Sequence, residues 1–327
     1  MISGGDMQAH IGAMLDGTLS DDATLEALRA LSDVPLSAPL IEAAADAVMQ
    51  RATGFDASKD VMDVCGTGGD GTHSVNISTA VAFVVAACGM PVVKHGNRAV
   101  SSSSGSADVL TALGMPATLS PDFWRSCFEE HGIAFLFAPH FHPGLVRLAP
   151  LRKALGVRTV FNVLGPLCNP ARPERQLMGV YARSLVPVIA DVLRARGSTR
   201  AWVVHGEAGE DEMSLCGSTH VAKLFKTNIV EQTHTPEEAG LVRHAPNALR
   251  GGTAAENAKA MIAMFEGAQP AYRDAVVLNA AAALVVAEKA ANLATGAALA
   301  HETIANGRAL RLLKALQAMA EKAGAHA

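Results

Sequence analysis

The sequence predicts a two-part α/β protein. A small all-helical N-terminal domain covers residues 1–58, and a larger α/β domain with a mostly parallel central sheet covers residues 59–327. Three observations carry this. No strand pattern occurs before about residue 60, strands and helices alternate after it, and a glycine-rich turn joins the first strand of the alternating part to its first helix.

In the helical part, Ile11, Met14 and Leu15 make a short apolar face closed by Gly17. Ser20 stands where a helix cap is needed, with Leu25, Leu28 and Leu31 facing inward after it. Pro35 and Pro39 bracket the start of a third helix, Ala38–Thr53. The segment at about 141–170 is expected to pack on this domain, with a hinge near 58–62. Expected strands follow at Val61–Cys65, Pro91–His95, Ile133–Ala138, Leu177–Ala182 and Ala201–His205. Between and after them, helices are expected at Thr79–Cys88, Ser106–Leu113, Pro121–Glu130, Leu185–Arg196, Glu256–Phe265, Ala271–Ala290 and Arg308–Lys322. The last two, rich in Ala and Leu, would cover the sheet. From Lys223 to Gly252 the pattern is weak; Thr227–Thr233 reads as a strand pair or a loop.

Composition bounds the function. Half of the residues are hydrophobic and 18% are charged, so the chain is globular. A net charge of −4 without a long basic run argues against nucleic acid as a partner. The start, Met-Ile-Ser-Gly-Gly-Asp, has no secretory pattern, and the longest apolar run, near Thr79–Val93, is broken by Gly89 and Pro91, which argues against a membrane span. The 5 cysteines are scattered and form no Cys-x-x-Cys pair, so they read as reduced core thiols of a cytoplasmic protein.

The glycine turn is the first functional signal. Gly66, Gly68, Gly69 and Gly71 lie between a strand and a helix N-terminus, where free amides and the helix dipole favour an anion. A dinucleotide fold would place an acidic residue ~20 positions on; from Gly71 to Ala107 there is none. A Walker A loop needs Gly-Lys-Ser/Thr, and Gly71 is followed by Thr72 and His73. A second block, Lys94 to Asp108, begins where the second strand ends. Lys94 and Arg98 supply cations there and the serines supply hydroxyls. Two such loops on neighbouring strands suit a ligand with phosphates at both ends.

Two further stretches are read in two ways. His140–Asn162 is rich in cationic and polar groups, as a solvated helix face would be, yet it also offers arginines able to fork onto a carboxylate. Glu207, Glu210, Asp211 and Glu212 end the fifth strand, either as an acidic surface loop or as a magnesium site.

Taken together, Gly66-Thr-Gly-Gly-Asp70, Asn76-Ile-Ser-Thr79, Lys94-His-Gly-Asn-Arg-Ala-Val-Ser-Ser102 and Gly165-Pro-Leu-x-Asn-Pro170 closely resemble the anthranilate phosphoribosyltransferase family, over nearly the whole chain. The resemblance implies a nucleoside phosphorylase/phosphoribosyltransferase type of fold. It also implies transfer of 5-phosphoribosyl from phosphoribosyl pyrophosphate to the amine of anthranilate, in tryptophan biosynthesis. By resemblance the donor is bound by Gly66, Gly68, Gly69, Asp70, Thr72, Asn76, Ser78, Thr79, Lys94, Asn97, Arg98, Ala99, Ser101, Ser102 and Ser106. Anthranilate is bound by Gly66, His95, Asn97, His142, Arg152 and Pro166. Mg²⁺, two ions per site when the donor is bound, is held by Ser78, Asp211 and Glu212, with Glu207 and Glu210 left to solvent. A homodimer through the helical domain is implied too, and no nucleophile or general base is called for. The rivals are a pyrimidine-nucleoside phosphorylase and a nucleic-acid-binding paralogue. Lys94-His-Gly-Asn speaks against the first, and Asp211, Glu212 and the negative charge speak against the second.

Overall fold

The computed structural model describes residues 3–57, 60–98 and 104–324. Local capping sets the first helices. Helix α1 (Gly4–Asp16) starts on Ser3, whose hydroxyl accepts from the Asp6 amide, and ends at Gly17, which reverses the chain with φ of 70°. Helix α2 (Asp21–Ser32) starts on Ser20 and buries Thr24, Leu28 and Leu31; Leu25 is only half-buried. Helix α3 (Ala38–Met49) stops short of the expected Thr53 because the Thr53 amide donates to the Phe141 carbonyl instead of continuing the helix.

Seven strands follow: β1 (Met62–Gly66), β2 (Val92–Gly96), β3 (Ile133–Phe137), β4 (Arg175–Gly179), β5 (Arg200–Gly206), β6 (Thr219–Phe225) and β7 (Asn228–His234). They form one sheet in the order β3-β2-β1-β4-β5-β6-β7. The five strands from β3 to β5 run parallel, and β6 and β7 continue antiparallel. The expected strand Leu177–Ala182 begins earlier and ends at Gly179, after which the Tyr181 amide turns to the Thr67 hydroxyl. In the weakly patterned segment, Thr227–Thr233 falls mostly on β7, the second strand of a hairpin with β6 that has Lys226 in the left-handed region at its turn, and short 3-10 turns at Pro236–Ala239 and Pro246–Leu249 follow. Its outer strand β7 is mostly exposed, so its polar residues gave no core pattern to read.

Helices α4 (Ile77–Ala87), α5 (Ser106–Ala112), α6 (Pro121–His131), α7 (Ala138–Phe141), α8 (Pro143–Leu155), α9 (Phe161–Leu167), α10 (Leu185–Ala195), α11 (Ala254–Phe265), α12 (Pro270–Val286), α13 (Leu293–Ala305) and α14 (Arg308–Gly324) complete the fold. The expected strand–helix alternation left out α7, α8 and α9. Helix α8 buries only Leu148 and contains Pro150, so it shows no apolar stripe. Three C-terminal helices stand where two were expected: α12 packs on β4 and β5, while α13 packs on α12 and α4 and α14 on α4 and α6. Gly296 of α13 lets that helix approach α12; a Cβ there would lie 2.8 Å from the Ala281 carbonyl oxygen.

Two hydrophobic clusters divide the interior. One joins β1–β3 with α4, α12, α13 and α14. The other joins α1–α3, α9 and α10 with β4–β6. Helix α8 packs on α1 and α2, and α3 packs on α9 and α10. Strand β1 sits between β2 and β4, so the chain winds away from it in both directions. The crevice at the carboxyl ends of β1 and β4 is where such a sheet accepts a ligand.

Candidate active site

The glycine turn leaves β1 at that crevice. Gly68, Gly69 and Gly71 have φ of 65°, 71° and 79°, a region costly for other residues. Gly66 is needed for space instead. It pairs with Gly179 across β1 and β4, and a Cβ on Gly66 would lie 2.2 Å from Asp211 Oδ2, one on Gly179 1.5 Å from the Asp211 carbonyl oxygen. Paired glycines thus let the acidic loop after β5 lie on the strand ends.

That loop meets the glycine turn directly. Asp211 Oδ2 accepts from the Gly68 amide at 2.7 Å, and the Asp70 carboxylate accepts from the Thr72 amide and hydroxyl at 3.1 and 2.7 Å. Glu212 accepts from the amide of Ser78 at the start of α4, where Asn76 provides no side-chain cap. Ser78 and Glu212 line a cleft of about 210 Å³ with Val64, Cys65, Gly179 and Asn279. Burial first and the Asp70 charge second push Asp211 up to about 7; burial and then Asp211 push Glu212 well above the carboxylate range. Asp70, Asp211 and Glu212 therefore crowd together, with Lys94 as the opposing charge. Buried Asn279, far along the chain, clamps the loop by accepting from the Met213 amide at 2.8 Å and donating to its carbonyl at 3.1 Å. Glu210 is not solvated as expected: half-buried, it accepts from the Ser214 hydroxyl at 2.8 Å and braces the turn. Glu207 is exposed and accepts from Ser218.

In the second block Lys94 is buried, and its ammonium donates to the Val64 carbonyl at 2.6 Å. Asn97 and Arg98 are exposed at the end of β2; Arg98 lies over the Phe137 ring, and the Ser106 hydroxyl donates to the Asn97 carbonyl. Asn76 donates to the Ser104 carbonyl and accepts from Asn257, while the buried Thr79 hydroxyl has no partner among the described residues. Lys94, Gly96 and Ser106 also border an apolar cleft of about 310 Å³ toward Trp124 and Phe135. The expected donor residues Ala99, Ser101 and Ser102 lie outside the described residues.

Of the expected acceptor residues, His95, His142 and Pro166 gather at Gly165–Asn169, where α9 ends. His95 Nδ1 bonds the Gly165 carbonyl at 2.9 Å and His142 Nε2 the Cys168 carbonyl at 2.8 Å, with ring centroids 5.1 Å apart. A carbonyl only accepts, so each ring carries its proton on that nitrogen and leaves its other nitrogen an acceptor. Burial, with His142 alongside, holds His95 down to about 3; burial also lowers His142. Both rings are therefore neutral. Pro166 is buried, its carbonyl held by Gln176 at 2.8 Å. Asn169 donates to both Asp63 Oδ2 and the Val93 carbonyl at 2.8 Å, tying the turn to β1 and β2. Arg152 stands apart on α8, half-buried over the Phe161 ring at 5.1 Å; among the described residues no carboxylate pairs with it.

The sequence reading missed Asp63, Asn169, Gly179 and Asn279. The first two lie inside or beside stretches it quoted; nothing local marks Gly179 or Asn279.

The comparisons fit this geometry. Residues 58–310 match the model of the glycosyl transferase family, a/b domain. The anthranilate phosphoribosyltransferase of Mesorhizobium japonicum is 51% identical over 261 residues, covering 80% of this chain and 77% of that protein. The chain belongs to the anthranilate phosphoribosyltransferase family. The crystal structure of the Thermus thermophilus member superposes with a TM-score of 0.92 at 39% identity, covering 98% of this chain and 96% of that one. The Saccharomyces cerevisiae member, solved in complex with PRPP and Mg, superposes with a TM-score of 0.86 at 28% identity, covering 98% and 94%. Membership sets both rivals aside, the pyrimidine-nucleoside phosphorylase and the nucleic-acid-binding paralogue. Among the described residues no helix is long and apolar enough to cross a membrane.

Proposed function

We infer that this chain transfers the 5-phosphoribosyl group from phosphoribosyl pyrophosphate to the amine of anthranilate, giving N-(5-phosphoribosyl)anthranilate and pyrophosphate. The carrying observation is a two-ended site. At one end a glycine turn with positive φ meets a half-buried carboxylate pair, and at the other the Arg152 guanidinium, without a carboxylate partner among the described residues, lies over an aromatic ring.

The glycine turn and the uncapped start of α4 offer amides to the donor's pyrophosphate. Asn76, Ser78, Thr79, Lys94, Asn97, Arg98 and Ser106 surround its phosphates and ribose, and Ala99, Ser101 and Ser102 complete the set. Arg152 takes the anthranilate carboxylate as a fork, Pro166 and Gly66 flank the ring, and His95, His142 and Asn97 orient the amine. The donor's C1–O bond breaks, C1 bonds the nitrogen, and the ammonium proton leaves to solvent. An aryl amine is a weak nucleophile, so the sugar carries positive charge in the transition state and the leaving pyrophosphate carries negative charge. Fixed amides stabilise that anion and positioning supplies most of the rest.

Ser78, Asp211 and Glu212 suit Mg²⁺. Asp70, Asp211 and Glu212 crowd together opposite one lysine, and burial disfavours the ionised forms of Asp211 and Glu212 unless a cation joins them. Among the described residues no three histidine, cysteine or carboxylate side chains could hold an ion alone, so phosphate and water oxygens would fill the shell. Held by Ser78, Asp211 and Glu212, Mg²⁺ would supply positive charge against the leaving pyrophosphate. Two ions per site belong to the same reading.

The packing of α8 on α1 and α2 and of α9 on α3 supports a helical unit, carrying α8 and α9, that meets the α/β unit near residues 58–62; Ser58 and Lys59 lie outside the described residues. Two copies pair through the helical unit, where Leu36 and Leu40 remain half-exposed, and the enzyme works in the cytoplasm. Light scattering that gives one chain's mass at micromolar concentration would overturn the pairing.

The test follows anthranilate fluorescence with protein, phosphoribosyl pyrophosphate and Mg²⁺. Decay needs all three and stops with EDTA; stable fluorescence at high protein concentration overturns the reading. The double substitution Asp211→Asn with Glu212→Gln abolishes most turnover. Unchanged magnesium dependence in that variant overturns the metal assignment.

A further inference from the structure

Arg158 has no part in the scheme above, yet it joins the two ends of the site. It lies in the short link between α8, which carries Arg152, and α9, which carries Pro166. Its guanidinium donates to the Gly69 carbonyl in the glycine turn, and its plane covers the Tyr181 ring at 4.3 Å. Tyr181 belongs to the same scaffold as the turn: its amide donates to the Thr67 hydroxyl at 3.1 Å, and the Thr67 amide donates to the Gly179 carbonyl at 3.0 Å. The glycines give this turn its reach and also its looseness, since Gly68, Gly69 and Gly71 lose more conformational freedom on ordering than any other residue.

We propose that Arg158 is a positioning residue that couples the acceptor and donor sites. Through it, the segment that receives the acceptor's carboxylate and ring holds the turn that receives the donor's diphosphate. An acceptor that fixes α8 and α9 fixes the Arg158 backbone, and the strap then holds Gly69 in the conformation the donor needs. The ordering cost of the turn is met once and shared between two ligands, which gives positive coupling without direct contact between them. Tyr181 provides the flat platform that keeps the guanidinium edge-on to the carbonyl, a geometry lysine lacks. The inference rests on the phosphoribosyl-transfer reading, because it needs both sites to be real.

The experiment measures the dissociation constant of phosphoribosyl pyrophosphate with Mg²⁺ by calorimetry, alone and with saturating benzoate, an acceptor stand-in that has no amine. Wild-type protein binds the donor about 5-fold or more tightly with benzoate present. Arg158→Ala brings that factor close to one, Arg158→Lys recovers part of it, Tyr181→Leu lowers it and Tyr181→Phe keeps it. Thermal melts show that each variant is folded. A factor of one in wild type, or a full factor in Arg158→Ala, overturns the proposal. Weaker donor binding in Arg158→Ala with the factor intact also overturns it, since Arg158 would then only touch the donor. Wild-type turnover in the fluorescence assay separates this failure from failure of the functional reading.

Discussion

The pairing of Gly66 with Gly179 under the acidic loop gives a sharp test in Gly179→Ala. Gly179 is not in the left-handed region, so alanine costs the backbone little there. The cost is steric. The added Cβ would lie 1.5 Å from the Asp211 carbonyl oxygen and 2.3 Å from its carbon, and both are main-chain atoms that cannot rotate aside. Ordinary contact begins near 3.4 Å, so the loop must retreat by roughly 2 Å. That movement breaks the 2.7 Å bond between the Gly68 amide and Asp211 and shifts Glu212 from the Ser78 amide. Overpacking of this kind costs about 1–3 kcal/mol of stability. Misplacement of the carboxylates by more than ~1 Å should lower kcat/KM by about 100-fold, or about 2.7 kcal/mol of transition-state stabilisation. Anthranilate fluorescence at graded Mg²⁺ reads the activity, and a urea melt reads the stability. Gly54→Ala is the control, since a Cβ there meets nothing within 4 Å. Wild-type kcat/KM and an unchanged magnesium curve in Gly179→Ala would show that the loop does not depend on the bare strand ends.

Arg152→Ala should raise the anthranilate KM about 10–100-fold, the worth of a charge-assisted fork, and leave the donor KM within about twofold; equal effects on both would refute the carboxylate role. Asn279→Leu strands the Met213 amide and carbonyl in the core, so urea unfolding should show a loss of about 2–4 kcal/mol together with lower kcat; unchanged values would mean that the loop holds itself. His95 gives a pH test. Unfolded, it takes a proton near ~6.5, whereas folded it resists until about 3, so the unfolded chain binds more protons in between. Its contribution is complete above about pH 6.5 and is lost as pH falls toward 3, with a slope of up to about 1.4 kcal/mol per pH unit. His95→Gln should flatten the dependence of unfolding free energy on pH across that window, and an unchanged slope would refute the buried neutral ring.

Local chemistry alone determined much of this protein. Ser20 and Gly17 announced helix ends because caps are decided within a few residues, and the run expected at Thr79–Cys88 announced the buried helix α4 because Ala80–Ala87 is wholly apolar. The glycine turn was legible because only glycine takes φ near 70° cheaply, and the carboxylates after β5 were legible as a cluster along the chain. Other features depend on partners distant in sequence. Helix α8 escaped notice because one buried leucine makes no stripe, and β7 because an exposed edge strand has no inner face to mark. Gly179 looks like any strand residue until the sheet brings Asp211 onto it. Asn279 looks like one polar residue in an alanine helix until Met213 arrives to be clamped. Which nitrogens of His95 and His142 hold protons was decided by two carbonyls of a turn far along the chain. Backbone conformation is set by neighbours a few bonds away, so sequence reveals it; close approach, desolvation and tautomer are set by whatever the fold packs alongside, so only the tertiary structure decides them.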